Sequence, residues 1–430
     1  MFKSLKLYLQ YILSEPSLKR LTAVYHKIIH FYFPVRLKKT KYLQNKKLLS
    51  LKNKSEIRIA FILLLDSNWK YDSVYKVFEN QKGFSPIVII CPFVTYGENK
   101  MQMELLKAEE FCRQKGYNFF STWDDENGIW KDFKKILSPD IVFFSSPHNH
   151  SKKEYCINNF LDTLTCYVPY SIRTDHLTQL QFNGDFHQLI WINFYETDIH
   201  KKIAEKFADN RGSNVEVVGY PTLDILKKSR KKNLGKRKTI IWAPHWTIPK
   251  SELNRSCFLD YYDYFLNLAN NFKNELEIIL RPHPLLKLTL YELDGWGKER
   301  TDKYFETWET TSNLWINEGD YIDLFINSDL IVHDSVSFLS EYLVTGNPAI
   351  YTKREVDLDP PFNEFGEICL NAHYVCRNQQ QLNAKLVDVL FKGSDPKKQM
   401  REKIVQKYLI INKDLSSNNI LKTIVNKLES

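Results

Sequence analysis

From Lys54 onward, short apolar runs alternate with amphipathic stretches. Runs at 57–65, 86–91, 140–145 and 215–218 predict buried strands, and a further strand is expected at 189–193. Helical periodicity falls between them at 71–80, 101–115 and 196–210. A polar, basic segment at 227–238, containing Gly235, predicts a linker. The alternation then restarts, with strands at 239–242, 276–280, 330–333 and 349–351. Helices are expected at 257–271, 321–327 and 336–343, and two or three more between 379 and 428. Strands alternating with helices imply βαβ units and mostly parallel sheets covered on both faces. The predicted fold class is α/β: two Rossmann-type doubly wound domains (56–226 and 239–395) facing a cleft, then C-terminal helices at 396–430.

The residues before Lys54 follow another pattern. Phe2, Leu5, Leu9, Ile12 and Leu13 share one helical face, and a second apolar, aromatic stretch covers 25–33. Met1 to Ser55 holds thirteen Lys/Arg and one acid, Glu15, a local charge of +12 in a chain of net charge +9. The basicity belongs to this end alone. Basic amphipathic segments bind anionic bilayers, so 1–55 is expected to associate peripherally with an anionic membrane surface, the inner face of the cell membrane. A solvated helix is the bland alternative.

Composition narrows the classes. Hydrophobic content of 43% and charged content of 26% describe a globular protein. Seven scattered cysteines without metal spacing fit free thiols in a reducing, cytoplasmic setting. No apolar run reaches the length of a membrane span, and no signal-peptide pattern is present. Neither a P-loop nor GxGxxG occurs, which disfavours P-loop ATPases and NAD-type dehydrogenases. No aromatic-basic groove motif points to nucleic acid.

Candidate chemistry sits where strands end. Arg281-Pro282-His283-Pro284 follows a strand-like run, and the two prolines present His283 at the sheet edge, as a hydrogen-bond donor to a phosphate oxygen or an acid–base group. Asp334-Ser335-Val336-Ser337 separates a strand from a helix whose start offers N–H groups to an anion, with Glu341 one turn further. An ordinary N-cap is the plain alternative. Pro244-His245-Trp246 adds an imidazole and an indole that either stacks on a base or sits in the core. Gly219-Tyr220-Pro221-Thr222-Leu223-Asp224 turns beside the linker. In the first domain, His148, His150 and His176 follow strands and are candidates for the base that activates an acceptor hydroxyl. Asp124-Asp125-Glu126 reads as a solvated turn, not a metal loop, and no metal or other cofactor is expected.

Taken together these motifs resemble the CDP-glycerol glycerophosphotransferase family of teichoic-acid polymerases and primases. The family's APxW, (K/R)PHP and S-D-x-x-I-T-D-Y-S-S-x-x-x-(D/E) patterns correspond in order to Ala243–Trp246, Arg281–Pro284 and Ser328–Glu341. Its G-x-P-x-x-D corresponds to Gly219–Asp224. The resemblance implies a GT-B fold with a nucleotide-diphosphate donor such as CDP-glycerol in the C-terminal domain. His283 would then contact the donor phosphates, and Ser335, Val336 and Ser337 would form the cradle. It also implies an acceptor that is a glycan, teichoic-acid-like polymer or lipid-linked precursor. Two positions depart: one cradle hydroxyl is replaced by Val336, and the family's W-H-G-T has only Tyr167–Ser171, without histidine, as its nearest counterpart. A nucleotide-sugar-dependent glycosyltransferase and a non-catalytic membrane scaffold are the alternative readings.

Overall fold

The computed structural model describes residues 15–95, 97–228, 237–248, 255–319, 321–354, 362–411 and 413–430. Side chains are described from Phe33 onward, Lys227 and Lys228 excepted. The apolar face expected at Phe2 to Leu13 and most of the expected linker lie outside these residues.

The first array contains β1 (Ile57–Leu63), β2 (Phe84–Ile90), β3 (Phe119–Ser121), a hairpin of β4 (Trp123–Asp124) and β5 (Ile129–Trp130), then β6 (Ile141–Phe144), β7 (Leu164–Tyr167), β8 (Ile192–Tyr195) and β9 (Val215–Val217). Apart from the hairpin, these form one seven-stranded parallel sheet in the order β3-β2-β1-β6-β7-β8-β9. The second array is β10 (Lys238–Ala243), β11 (Leu276–Leu280), β12 (Leu314–Ile316), β13 (Leu330–His333), β14 (Ala349–Thr352) and β15 (Tyr374–Cys376). It forms a six-stranded parallel sheet in the order β12-β11-β10-β13-β14-β15. The order reverses between β1 and β6 in one sheet and between β10 and β13 in the other. In open parallel sheets, such reversals open a crevice at the strand C-termini.

Helices cover both faces of each sheet, which is why the strands read as continuous apolar runs. One core lies on the outer face of the second sheet, where Trp242 stacks with Phe258 and Phe265. Another, with Phe144 and Phe160, lies on one face of the first sheet. The largest core runs from Phe61, stacked on Phe143, through Tyr220 and Leu223 to Phe325 and Tyr342 of the second domain. Each buried side chain of this kind contributes roughly 1.5–3 kcal/mol.

The last helix, Ser416–Glu429, returns to the first domain and packs on the helix Asp72–Glu79. Asp224 explains how it is held: its buried carboxylate accepts the N–H groups of Ser416 and Ser417, at 2.8 and 2.9 Å. Gly219 makes the approach possible. Its φ is +90°, and a Cβ there would stand 2.6 Å from Ser416 Oγ. The Gly219–Asp224 motif thus clamps the C-terminal helix. Asp224→Ala is expected to cost about 2–3 kcal/mol, since two buried N–H groups lose a charged acceptor. Urea unfolding would measure it, and a loss below half a kcal/mol would contradict the clamp.

At the other end, a helix runs from Glu15 to Leu51. Its later half docks on the first domain, with Gln44 donating to the Leu189 carbonyl at 2.9 Å. Lys47 and Lys54 both reach the carboxylate of Asp140, Lys47 at 2.9 Å. Burial alone would raise the Asp140 pKa, but the two lysines and the Arg58 amide lower it below its ordinary value. Part of the basic charge is therefore used internally.

Two local expectations change, and one helix was not anticipated. Residues 189–193 are not one strand: a short helix, Asp185–Leu189, ends there and β8 starts at Ile192. The helix expected at 336–343 is α-helical only over Phe338–Glu341 and tightens to a 3-10 turn over Tyr342–Thr345. The helix Gly297–Thr310 has a buried stripe of Thr301, Tyr304, Phe305 and Trp308, masked in the sequence by its charged first turns.

Candidate active site

Both crevices open into one cavity of about 720 Å³. The first domain contributes Leu65 and Lys70 from the segment after β1, and Ser146, His148 and His150 from that after β6. The second contributes Pro244 and His245 after β10, Arg281 and His283 after β11, and Ser335, Ser337 and Glu341 after β13. A pocket of this size at paired switch points is where an α/β protein binds its ligand.

The two imidazoles of the second domain are tied to local backbone. Leu285 N–H donates to His283 Nδ1 at 3.1 Å, and Thr247 N–H donates to His245 Nδ1 at 3.3 Å. With Nδ1 accepting in both, the neutral rings carry their proton on Nε2. The ring centroids are 5.1 Å apart. Burial lowers the pKa of His283 to about 4. Burial, then the charges of His283 and Arg255, lowers that of His245 to about 3. Near neutral pH, both are uncharged hydrogen-bond donors.

Asp334 holds this arrangement. It is buried, and its carboxylate accepts the N–H of His245 at 2.5 Å and of Cys257 at 2.6 Å. Expected as a donor-binding residue, it is instead engaged by the loop that carries His245. Val336 is also outside the cavity lining; its carbonyl accepts the Thr174 hydroxyl at 2.8 Å. Trp246 stands 6.0 Å from the His283 ring, half-buried against the outer core, and does not line the cavity. With only four α-helical residues behind Ser337, the helix dipole is small. Any anion here depends on local hydroxyl, amide and imidazole donors.

Glu341 is buried beneath the same turn. Tyr321 donates its hydroxyl to the Glu341 carboxylate. Burial raises the Glu341 pKa, opposed by Lys70, Tyr321, the Ile172 amide and Arg281. The Arg281 guanidinium donates to the Gly319 carbonyl at 2.6 Å and to Asn317. It lines the cavity as part of a braced loop. The first-domain segment around Thr174 joins in, since Asn363 N–H donates to the Thr174 carbonyl at 2.9 Å.

Opposite His283, His148 and His150 lie with ring centroids 5.2 Å apart, and Tyr170 is 6.3 Å from His148. Thr95 Oγ1 and His150 Nδ1 share a hydrogen bond of 2.9 Å. Burial, then His150 and Arg173, lowers the pKa of His148, and burial lowers that of His150. His176 is exposed and outside the cavity. The turn that bears it heads away along the surface, after Thr174 and Asp175 have joined the second domain. Lys70 and Tyr321 were not singled out from sequence, and Tyr170 entered only with the stretch that leads to His176. Lys70 follows β1 as His283 follows β11, and that position was its one available signal.

Among the described residues no group of three or more His, Cys, Asp or Glu is placed to hold a metal ion. No helix there is long and apolar enough to cross a membrane.

No curated protein matches the chain in sequence. Among solved structures, the wall teichoic acid polymerase TagF, in a variant form, superposes with a TM-score of 0.58 at 14% identity, covering 94% of this chain and 98% of that one. A TagF variant soaked with CDPG gives 0.54 at 14% identity, with the same coverage. A putative UDP-N-acetylglucosamine 2-epimerase from Listeria monocytogenes gives 0.53 at 16%, covering 87% and 97%. These likenesses establish the fold as GT-B-like. Residues 193–426, more than half the chain, match the family described as CDP-Glycerol:Poly(glycerophosphate) glycerophosphotransferase. With His283, Ser335 and Ser337 lining the cleft between its two sheets, this chain belongs to the CDP-glycerol glycerophosphotransferase family of enzymes.

Proposed function

We propose that the protein transfers glycerol phosphate from CDP-glycerol onto a hydroxyl of a teichoic-acid-like or other cell-surface polymer, or of its lipid-linked precursor. One observation carries this reading: neutral imidazole donors from one domain and a candidate base from the other face a single cavity. The acceptor hydroxyl gives its proton to His148 as its oxygen attacks the donor's β-phosphorus. The bond from that phosphorus to the bridging oxygen breaks, and cytidine monophosphate leaves with the electron pair. His283 and His245 donate through Nε2–H to the charge that develops there, assisted by Ser335 and Ser337. Donors fixed before the reaction need no reorganisation as that charge grows, which is how such groups accelerate transfer. Measuring CMP release from CDP-glycerol, with and without a glycerol phosphate oligomer, tests the proposal. Release that does not depend on an acceptor would refute transfer, and release from UDP-sugars alone would refute the donor.

The long N-terminal helix supports a membrane location for this chemistry. Its exposed face alternates Val35, Tyr42 and Leu49 with Lys38, Lys39 and Lys46. Near an anionic surface each lysine contributes roughly 1 kcal/mol. Changing all three lysines to alanine is expected to weaken binding to phosphatidylglycerol vesicles about a hundredfold, with turnover on a soluble acceptor unchanged. Equal sedimentation of variant and wild type would count against the membrane role.

A further inference from the structure

The turn Asp334–Ser337 is held by two buried side chains that do not line the cavity, His333 and Thr174. His333 is the last residue of β13, and its Nδ1 lies 3.0 Å from the Ser335 carbonyl oxygen. A carbonyl only accepts, so Nδ1 carries a proton and donates. Burial, then His373, holds the His333 pKa well below 6.5, opposed by the Ser335 carbonyl. The ring is therefore neutral, with its one proton on Nδ1. One residue further along the turn, the Thr174 hydroxyl of the first domain donates to the Val336 carbonyl at 2.8 Å. In a trans peptide the C=O and the following N–H point opposite ways. Anchoring these two carbonyls thus fixes the direction of the Val336 and Ser337 N–H groups. It also fixes the backbone that bears the Ser335 and Ser337 side chains, both of which line the cavity.

Packing alone does not explain a histidine at 333. Its Nε2 makes no hydrogen bond within the protein, and neither does the Nε2 of His373, whose ring stands 5.2 Å away. His373 uses its own proton on the Cys369 carbonyl, through Nδ1 at 2.9 Å. Each Nε2 is a buried acceptor without a protein donor, which destabilises the fold. Leucine would pack among Phe338, Tyr351 and His373 without that penalty. What leucine lacks is the Nδ1–H. The family's S-D-x-x-I-T-D-Y-S-S pattern reads threonine, tyrosine and serine where this chain has His333, Ser335 and Val336. The departures fall together in one turn, and the imidazole anchor is among them.

We propose that His333 and Thr174 are positioning residues for donor binding: one from each domain, they hold the Ser335 and Val336 carbonyls so that the turn keeps its hydroxyl and amide donors in one arrangement toward the donor phosphates. This rests on the reading that the donor diphosphate lies at this turn. Because Thr174 belongs to the first domain, the donor site depends on how the two domains meet.

Calorimetric titration of the full chain with CDP-glycerol tests this without turnover. His333→Leu and Thr174→Val remove the two donors at similar volume. His333→Asn and Thr174→Ser keep an N–H or O–H close to the same place. The leucine and valine variants are each expected to raise the Kd of CDP-glycerol about tenfold, and the asparagine and serine variants to stay within about threefold of wild type. The urea midpoint of His333→Leu should stay near that of wild type, since the lost bond is offset by removal of the unpaired Nε2. Unchanged affinity in the leucine and valine variants would overturn the proposal. So would asparagine weakening binding as much as leucine, because the Nδ1 donor would then not be what matters. Wild-type protein that bound CDP-glycerol but released no CMP to an acceptor would overturn the transfer reading alone, since these affinities do not depend on turnover.

Discussion

His283→Ala should lower turnover about 10²–10³-fold, the usual effect of removing one donor aimed at developing charge. The side chain is half-buried on a turn between two prolines, with Nδ1 occupied by the Leu285 amide and Nε2–H left for a ligand. Losing that local bond costs about 1 kcal/mol, too little to unfold a domain built on the surrounding aromatic core. A pH series separates the two roles. The folded-state pKa of about 4 lies below the ordinary 6.5, so the unfolded chain binds more protons between those values. Stability therefore falls as pH drops from 6.5 toward 4, by about 2–3 kcal/mol from this residue. The alanine variant should lose less stability over that window while staying nearly inactive at pH 7. If it kept wild-type turnover, the donor-phosphate role would be wrong.

The second domain was more legible in sequence than the first, for a physical reason. In a parallel sheet the chemistry follows each strand directly, so His245, His283, Ser335 and Ser337 announce themselves by position after β10, β11 and β13. Their partnerships do not. Asp334 carries a carboxylate in a loop of small polar residues and reads as a ligand. Its two amide partners, His245 and Cys257, are remote in sequence and meet it only in the fold. Asp224 is the same case across a greater separation, holding Ser416 and Ser417. Of the three candidate histidines of the first domain, only 148 and 150 reach the cavity, because the chain at Thr174 is pinned to Asn363 and Val336 and carries His176 outward. Nothing in local composition distinguishes these outcomes. Lys70 and Tyr321 were missed because they meet only in the cavity wall, which is assembled from both domains.

His148→Gln is expected to lower kcat about 10²–10⁴-fold, the range for loss of a general base, with donor affinity unchanged. Glutamine keeps a polar side chain of similar reach but cannot accept a proton at neutral pH. The base must be neutral to act, and burial together with His150 and Arg173 holds His148 in that form. Its pKa lies below 6.5, so the acid limb of kcat/KM should appear below pH 6.5 and the rate should stay level from there to pH 8. His150→Ala removes one of the groups that depress this pKa, so the acid limb should move toward higher pH while the plateau persists. The direction matters. A shift toward lower pH, or no shift, would mean that another group titrates in the free enzyme. Full kcat in His148→Gln would move the search for the base to other titratable groups of the first-domain wall, starting with His150, whose ring is 5.2 Å away. Loss of kcat with an unchanged Kd for CDP-glycerol would instead place His148 at the attacking hydroxyl. The proton would then leave from one domain while the phosphate charge is held by the other, a division of labour that requires both sheet edges to face the same space.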